Sequence, residues 1–138
     1  MKRIAIVMIA CITFISMSFI TPWQNGGIKE SIERGKEVYE SSCMGCHQED
    51  GNGIRNMSPT LLKTKWVTGN KGVLVRIVLK GLRGGETEVN GLKFENPMPP
   101  LESVLSDQQV ADVLTYVRNS WGNKGSAVSA GEVRKGRG

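Results

Sequence analysis

Two cysteines and the sole histidine of the chain fall within five consecutive residues, Cys43-Met44-Gly45-Cys46-His47. Thiols at this spacing suit three chemistries: a redox dithiol, half of a zinc site, or attachment of a porphyrin. Zinc wants four ligands, usually completed by a second Cys/His pair. Here no second histidine exists, and the one other cysteine, Cys11, lies in an apolar leader. A thioredoxin-like dithiol wants a βαβ setting, which the flanking residues do not suggest. Porphyrin attachment uses all three side chains. Each thiol adds across one vinyl group to form a thioether, and the two-residue spacer matches the reach between the vinyls. The adjacent His47 is then carried beneath the iron, where a ring nitrogen serves as proximal ligand. The motif therefore implies one c-type haem per chain, covalently held by Cys43 and Cys46, with His47 on the iron.

The second axial position needs another donor, and with no second histidine the candidates are Met44, Met57 and Met98. Met44 sits inside the attachment loop on the side of His47 and cannot reach across. Met57 lies ten residues after His47 in a loop-like stretch, and Met98 fifty-one residues after it, flanked by Pro97, Pro99 and Pro100. Prolines lower the entropy lost when a segment is fixed against a metal. The ordinary use of a buried methionine is to fill the core. The sequence favours Met98, with Met57 or an open iron as alternatives. A His47/Met98 iron is six-coordinate, and the thioether favours the ferrous form and raises the potential. Such an iron has no place for substrate, so the implied chemistry is outer-sphere electron transfer and no residue is assigned as catalytic. The rival is a haem enzyme or ligand sensor in which Met98 leaves and peroxide or a gas enters. The lack of a distal histidine argues against a peroxidase.

The elements that must position these residues can be read in turn. Ile28, Ile32, Gly35 and Tyr39 share one face of a helix expected over Ile28 to Ser42. Gly35 costs about 1 kcal/mol there relative to alanine, which suggests a close approach. Residues 48–64 read as loop, and 72–79 as a helix whose β-branched content makes a strand the competing reading. Residues 81–91 read as turns or a short hairpin, and the prolines of 96–100 exclude regular structure. The last helix is announced by a Ser106/Gln109 capping box and by Val110, Val113, Leu114, Val117 and Trp121 at helical spacing, with Gly122 as its stop. Residues 124–138, Gly/Ser-rich and charged, read as a flexible tail. The roughly 95 residues between are poor in aromatics and build only a modest core, which a buried haem would enlarge.

Lys2 and Arg3, the apolar run from Ile4 to Ile15, and Ser16-Met17-Ser18 read as a secretory signal peptide over 1–18, followed by a linker over 19–27. The alternative is a membrane anchor facing the periplasm, since Ile4 to Ile20 carries no charge. Met8-Ile9-Ala10-Cys11 resembles a lipoprotein box only faintly. Cleavage would remove Cys11 and leave no free thiol in an oxidising, periplasmic compartment. The formal net charge of +5 falls to +3 without Lys2 and Arg3, and two propionates bring it near +1. That balance gives no argument for nucleic acid, and Arg134-Lys135-Gly136-Arg137 reads as a solvated terminus.

From Ile28 to Asn123 the chain closely resembles the class I c-type cytochromes. Gly35, Tyr39 and Cys43 follow the spacing of that family's first helix, and Val113 and Tyr116 stand where its last helix carries an apolar residue and an aromatic. The resemblance implies an all-α fold, three to five short helices wrapped around one haem, in the domain 28–123. It implies that Gly35 lets the first and last helices cross, and that the Pro59 carbonyl, twelve residues after His47, accepts a hydrogen bond from the proximal ring. Met98-Pro99 matches the usual axial-methionine setting. Met98-Pro99-Pro100-Leu101 and Asp112 to Gly122 are similar to cytochrome domains that accompany periplasmic quinoprotein and flavoprotein sugar or alcohol dehydrogenases. The implied protein is a monomeric electron carrier between redox partners such as a separate periplasmic dehydrogenase and a terminal oxidase, or a fixed subunit of a dehydrogenase complex. The lysine-rich ring of mitochondrial cytochromes is not evident, because lysines and glutamates are mixed throughout.

Overall fold

In the computed structural model, residues 27–85 and 87–138 are described, so the expected signal peptide or anchor over 1–18, Cys11 and all of the linker but Gly27 lie outside the described residues. The first element is α1 (Ile28–Ser42), as the spacing predicts. It buries Gly35, Val38 and Tyr39. A Cβ on Gly35 would run into the Asp112 carbonyl oxygen and stand 2.8 Å from Tyr116 Cβ, so the two helices touch backbone to backbone. The buried Asp112 carboxylate closes the crossing by accepting from Ser31 Oγ (2.6 Å), Arg34 Nε (2.7 Å), Arg34 Nη2 (3.0 Å) and Gln108 Nε2 (3.0 Å).

Then come the single turns α2 (Met44–His47) and α3 (Lys65–Thr68), and the helix α4 (Lys71–Lys80). Thr64 and Asn70 cap α3 and α4 by accepting from Val67 and Val73 N–H. In α4 the competing strand reading is resolved: Leu74, Val75, Val78 and Leu79 are buried on one helical face. The strands β1 (Thr87–Val89) and β2 (Leu92–Phe94) pair antiparallel, Val89 opposite Leu92. Asn90 (φ 54°) and Gly91 (φ 79°) form the tight turn that Asn-Gly favours. The hairpin rests on α3 through Trp66 Nε1, which donates to the Glu88 carbonyl (3.1 Å).

The helix α5 (Asp107–Val117) carries the expected capping box, Ser106 with Gln109. It ends earlier than the periodicity predicts. Trp121 lies beyond it at φ 52°, and Gly122 at φ 80°. Side chains take over the last carbonyls: Asn119 Nδ2 donates to Thr115 O, Ser120 Oγ to Tyr116 O, and Asn123 Nδ2 to Val117 O, each at 2.8 Å. Such local bonds compete with helix continuation.

The expectation of a flexible tail over 124–138 is corrected. Residues Ala130–Arg137 form α6, with a second capping box, Ser129 and Glu132. Val128 and Val133 are buried, and α6 packs on α4 and α5. The segment's overall polarity hid a narrow apolar stripe. Of its terminal basic residues Arg134 and Lys135 are solvated, as the sequence suggests, whereas Arg137 is half-buried and pairs with Asp107. Among the described residues the fold is thus four helices of eight residues or more, two single turns and one hairpin, the all-α class the sequence predicts. None of these helices is long and apolar enough to cross a membrane.

Candidate cofactor site

The helices line a narrow cavity of about 90 Å³ that is partly open to solvent. Its wall draws on α1 to α5 and the loops between them: Tyr39, Cys43 and His47, the loop residues Pro59 to Leu61, Val67, Leu74 and Val78, Met98 and Leu101, and Val113, Leu114 and Val117. The wall is almost wholly apolar.

Cys43, His47, Pro59 and Met98, four of the five residues singled out in the sequence, line this one cavity. Cys46 does not line it and is exposed, one residue before His47. Neither cysteine is in a disulfide, so both sulfurs are available for attachment. Burial pushes the Cys43 thiol up to about 11, with the neighbouring Cys46 adding to the shift. Met57 is exposed, and neither Met57 nor Met44 lines the cavity. Among the described residues no group of three His, Cys, Asp or Glu side chains converges, so the zinc alternative has no ligand set.

His47 is held by its own surroundings. Its Nδ1 stands 3.1 Å from the Pro59 carbonyl oxygen. A carbonyl can only accept, so Nδ1 carries the proton and Nε2 keeps a free lone pair. Burial lowers the imidazole pKa below its ordinary value, opposed by the Pro59 bond, and the ring is neutral at neutral pH. The loop after α2 is folded back to make this contact. Ser58 Oγ donates to Cys46 O (2.6 Å), Gly53 N to His47 O (3.0 Å), and Leu61 N to Gly51 O (2.8 Å).

Met98 is held by a bridge the sequence did not reveal. Its N–H donates to Leu82 O (2.9 Å), and Leu82 N–H donates back to Met98 O (3.0 Å). This approach needs Gly81, at φ 75°, where a Cβ would collide with the Met98 carbonyl and lie 2.9 Å from Pro100 N. The adjacent backbone runs along the end of α4, Leu101 N donating to Val78 O (3.0 Å) and Glu102 N to Leu79 O (3.2 Å). These are carbonyls a helix end otherwise leaves without partners.

Three further residues shape the site without chemistry of their own. Asn123 is buried, accepts from Lys63 N (2.6 Å) and donates to Leu61 O (3.1 Å), tying the proximal loop to the end of α5. Arg118 is also buried, donating to Val67 O, Gly69 O and Ser126 O at 2.5, 3.2 and 2.9 Å. Trp121 packs on Tyr39 (5.1 Å between centroids) and Tyr116 (5.6 Å), and its Nε1 donates to Glu49 O (3.1 Å). No local pattern marks these as site residues, because each acts through backbone groups distant in sequence.

The donor set suits a haem: the Cys43 thiol, a neutral imidazole and a thioether in the wall of an apolar cavity, the Cys46 thiol one residue from His47, and no Asp, Glu, Lys or Arg among the lining residues. A family model for cytochrome c matches residues 32–121. The chain belongs to the cytochrome c family. Like other cytochromes c it carries a covalently attached c-type haem with its iron, and haem-based electron transfer is its chemistry. This cytochrome is 32% identical to cytochrome c-552 of Thermus thermophilus over 102 residues, 71% of this chain and 67% of that one. It is 37% identical over 103 residues to the cytochrome c subunit of a quinone alcohol dehydrogenase from Gluconacetobacter polyoxogenes, and 38% identical over 110 residues to that of a gluconate 2-dehydrogenase from Pantoea cypripedii. These stretches cover 73% and 75% of this chain, but only 22% and 24% of the two subunits.

Proposed function

We propose that this cytochrome c is a mono-haem carrier of single electrons, exported to the periplasm, in which Cys43 and Cys46 form the two thioethers and His47 and Met98 are the axial ligands. The observation that carries the reading is the presence of His47 and Met98 in the wall of one apolar cavity from which Met57 and Met44 are absent. Bound there, the haem supplies one-electron exchange at its iron. The chain's residues do the rest. Pro59 holds the proton on His47 Nδ1, so that Nε2 faces its task as a ligand in one tautomer. The Leu82 bridge holds the Met98 backbone. Apolar side chains from α1, α4 and α5 exclude water, which keeps the reorganisation cost low. With both axial positions filled and no second histidine for acid/base work, the protein passes electrons without transforming a substrate.

The leader over 1–18 directs export, either as a cleaved signal or as an anchor facing the periplasm. Likeness to cytochrome subunits of alcohol and gluconate dehydrogenases supports a periplasmic dehydrogenase as electron donor, with a terminal oxidase as acceptor. The mature protein is a monomer that passes electrons between these partners. Ferric protein should show the weak near-infrared charge-transfer band of an iron–thioether bond. Met98→Ala should abolish the band and Met57→Ala should leave it; the reverse pattern moves the ligand to Met57. Rapid stoichiometric carbon monoxide binding by the unaltered ferrous protein would favour the ligand-binding alternative over the carrier.

A further inference from the structure

We infer that α6 is a latch on the segment carrying Met98, with Arg137 as its positioning residue. The inference rests on the reading of Met98 as axial ligand, because that is what makes release of the latch visible at the iron.

The segment from Met98 to α5 has no regular structure of its own. Its first half is held by backbone bonds to Leu82, Val78 and Leu79. Its second half turns on Leu101 O, which accepts from Val104 N (3.1 Å) and Leu105 N (3.0 Å), buries Leu105, and is gripped from outside by Arg137. Arg137 Nη1 donates to Glu102 O (2.6 Å), Nη2 to Leu105 O (2.7 Å), and Nε to Asp107 Oδ1 (2.6 Å). A single guanidinium thus spans the far end of the segment and the first residue of α5. Only the planar fork of arginine can reach two carbonyls and a carboxylate together. Bonds from a charged donor are among the stronger ones, and the half-buried position (25% exposed) limits competition from water.

The latch is itself fastened. Lys80 Nζ donates to both Glu102 carboxylate oxygens (2.8 Å each) and to Arg137 O (3.3 Å), so α4, the segment and the end of α6 share one cation. Val133 is fully buried. At Gly136 a Cβ would stand 2.6 Å from Val75 Cγ1, so the α6 backbone lies directly on the Val75 side chain of α4. Both α6 and Arg137 lie outside residues 32–121, which the family model matches. For the Met98 sulfur to leave the cavity its segment must swing, and Arg137 pins the end opposite the Leu82 bridge.

The test uses full-length ferric holoprotein with imidazole as the entering ligand. Arg137→Met should bind imidazole about tenfold faster or more, and the amides of Val104 and Leu105 should lose hydrogen-exchange protection by a similar factor. Arg137→Lys, which keeps the charge but not the fork, should fall between, and it carries the test should Arg137→Met not fold. Met98→Ala should bind imidazole fastest, and adding Arg137→Met to it should bring no further gain. Faster amide exchange with unchanged imidazole binding would make Arg137 a brace only and overturn the latch, as would no change in either. A Met98→Ala protein no faster than the unaltered one would instead sink the ligand reading.

Discussion

The two sides of the cofactor cavity are built on different principles. On the His47 side the bonds that aim the ring are short-range, twelve residues each, with Cys43, Cys46, His47, Ser58 and Pro59 inside seventeen residues and Asn123 tying the outer loop from afar. On the Met98 side nothing is local. Met98 meets Leu82, its segment lies on Val78 and Leu79, and its far end meets Arg137. A ligand fixed by short-range bonds and two covalent links stays through large fluctuations. A ligand fixed by tertiary contacts leaves whenever those contacts open, and local opening costs less than global unfolding. The contrast assigns permanence to one side and adjustability to the other.

The largest expected effect bears on permanence. Denaturing mass spectrometry of the exported protein should show one added haem, and the Cys43→Ala/Cys46→Ala double variant should show apoprotein mass. Met98→Ala, by contrast, should keep the full haem mass; loss of covalent haem there would erase the distinction between the sides.

Next in size is the helix crossing that supports the proximal side. Gly35→Val must force its side chain against the Asp112 carbonyl and Tyr116 Cβ. A destabilisation of several kcal/mol in urea unfolding is expected from overpacking and backbone displacement, far above the change in helix propensity. A loss under about 0.5 kcal/mol, typical of a free surface site, is incompatible with the crossing.

Asn123→Ala sharpens the comparison from the loop. It leaves Lys63 N, Leu61 O and Val117 O short of a partner, for about 1–3 kcal/mol. Amide exchange should rise in residues 60–63 and stay unchanged at Met98. A uniform rise would mean the two sides open together.

The smallest effect concerns α6. Lys71 and the Ser129 N–H hold the Glu132 carboxyl down at about 2, against an ordinary 4.5. A depressed carboxyl stabilises the fold above its unfolded pKa, and that contribution is lost as pH falls from about 4.5 to about 2. Because the pair is about one-third exposed, the contribution is below about 1 kcal/mol. Glu132→Gln should therefore lower stability slightly at pH 7 and match the unaltered protein near pH 2. An equal gap at both pH values would mean that charge plays no part.

This division also explains what could be read from the chain. The haem motif, the α1 face with Gly35, and the Ser106/Gln109 cap are short-range patterns, and each has a physical reason that operates within a few residues. Pro59 entered through family resemblance, since nothing local marks a carbonyl as an acceptor. Leu82, Asn123 and Arg118 each meet a backbone group sixteen to sixty-two residues away, besides the nearer Val117 and Ser126 carbonyls, and no spacing records that. Trp121 fitted the helical period of α5 but belongs to the turn beyond it, because Asn119, Ser120 and Asn123 take the carbonyls a further turn would need. The 124–138 segment was misread because its composition outweighed two legible signs, the Ser129/Glu132 pair and the Val128/Val133 stripe.

Arg118 carries a practical consequence for anyone who would cut or transplant this fold. The family match ends at residue 121, and a gene fragment designed on that boundary would look complete. It would nonetheless remove the Ser126 carbonyl that Arg118 meets, the Asn123 amide that ties down the proximal loop, and the Val128 N–H that donates to the buried Thr115 hydroxyl (3.0 Å). A buried guanidinium stripped of an acceptor is costly to keep folded. A portable module of this chain must therefore run past Trp121 and take in α6, and a fusion partner does not belong after Trp121.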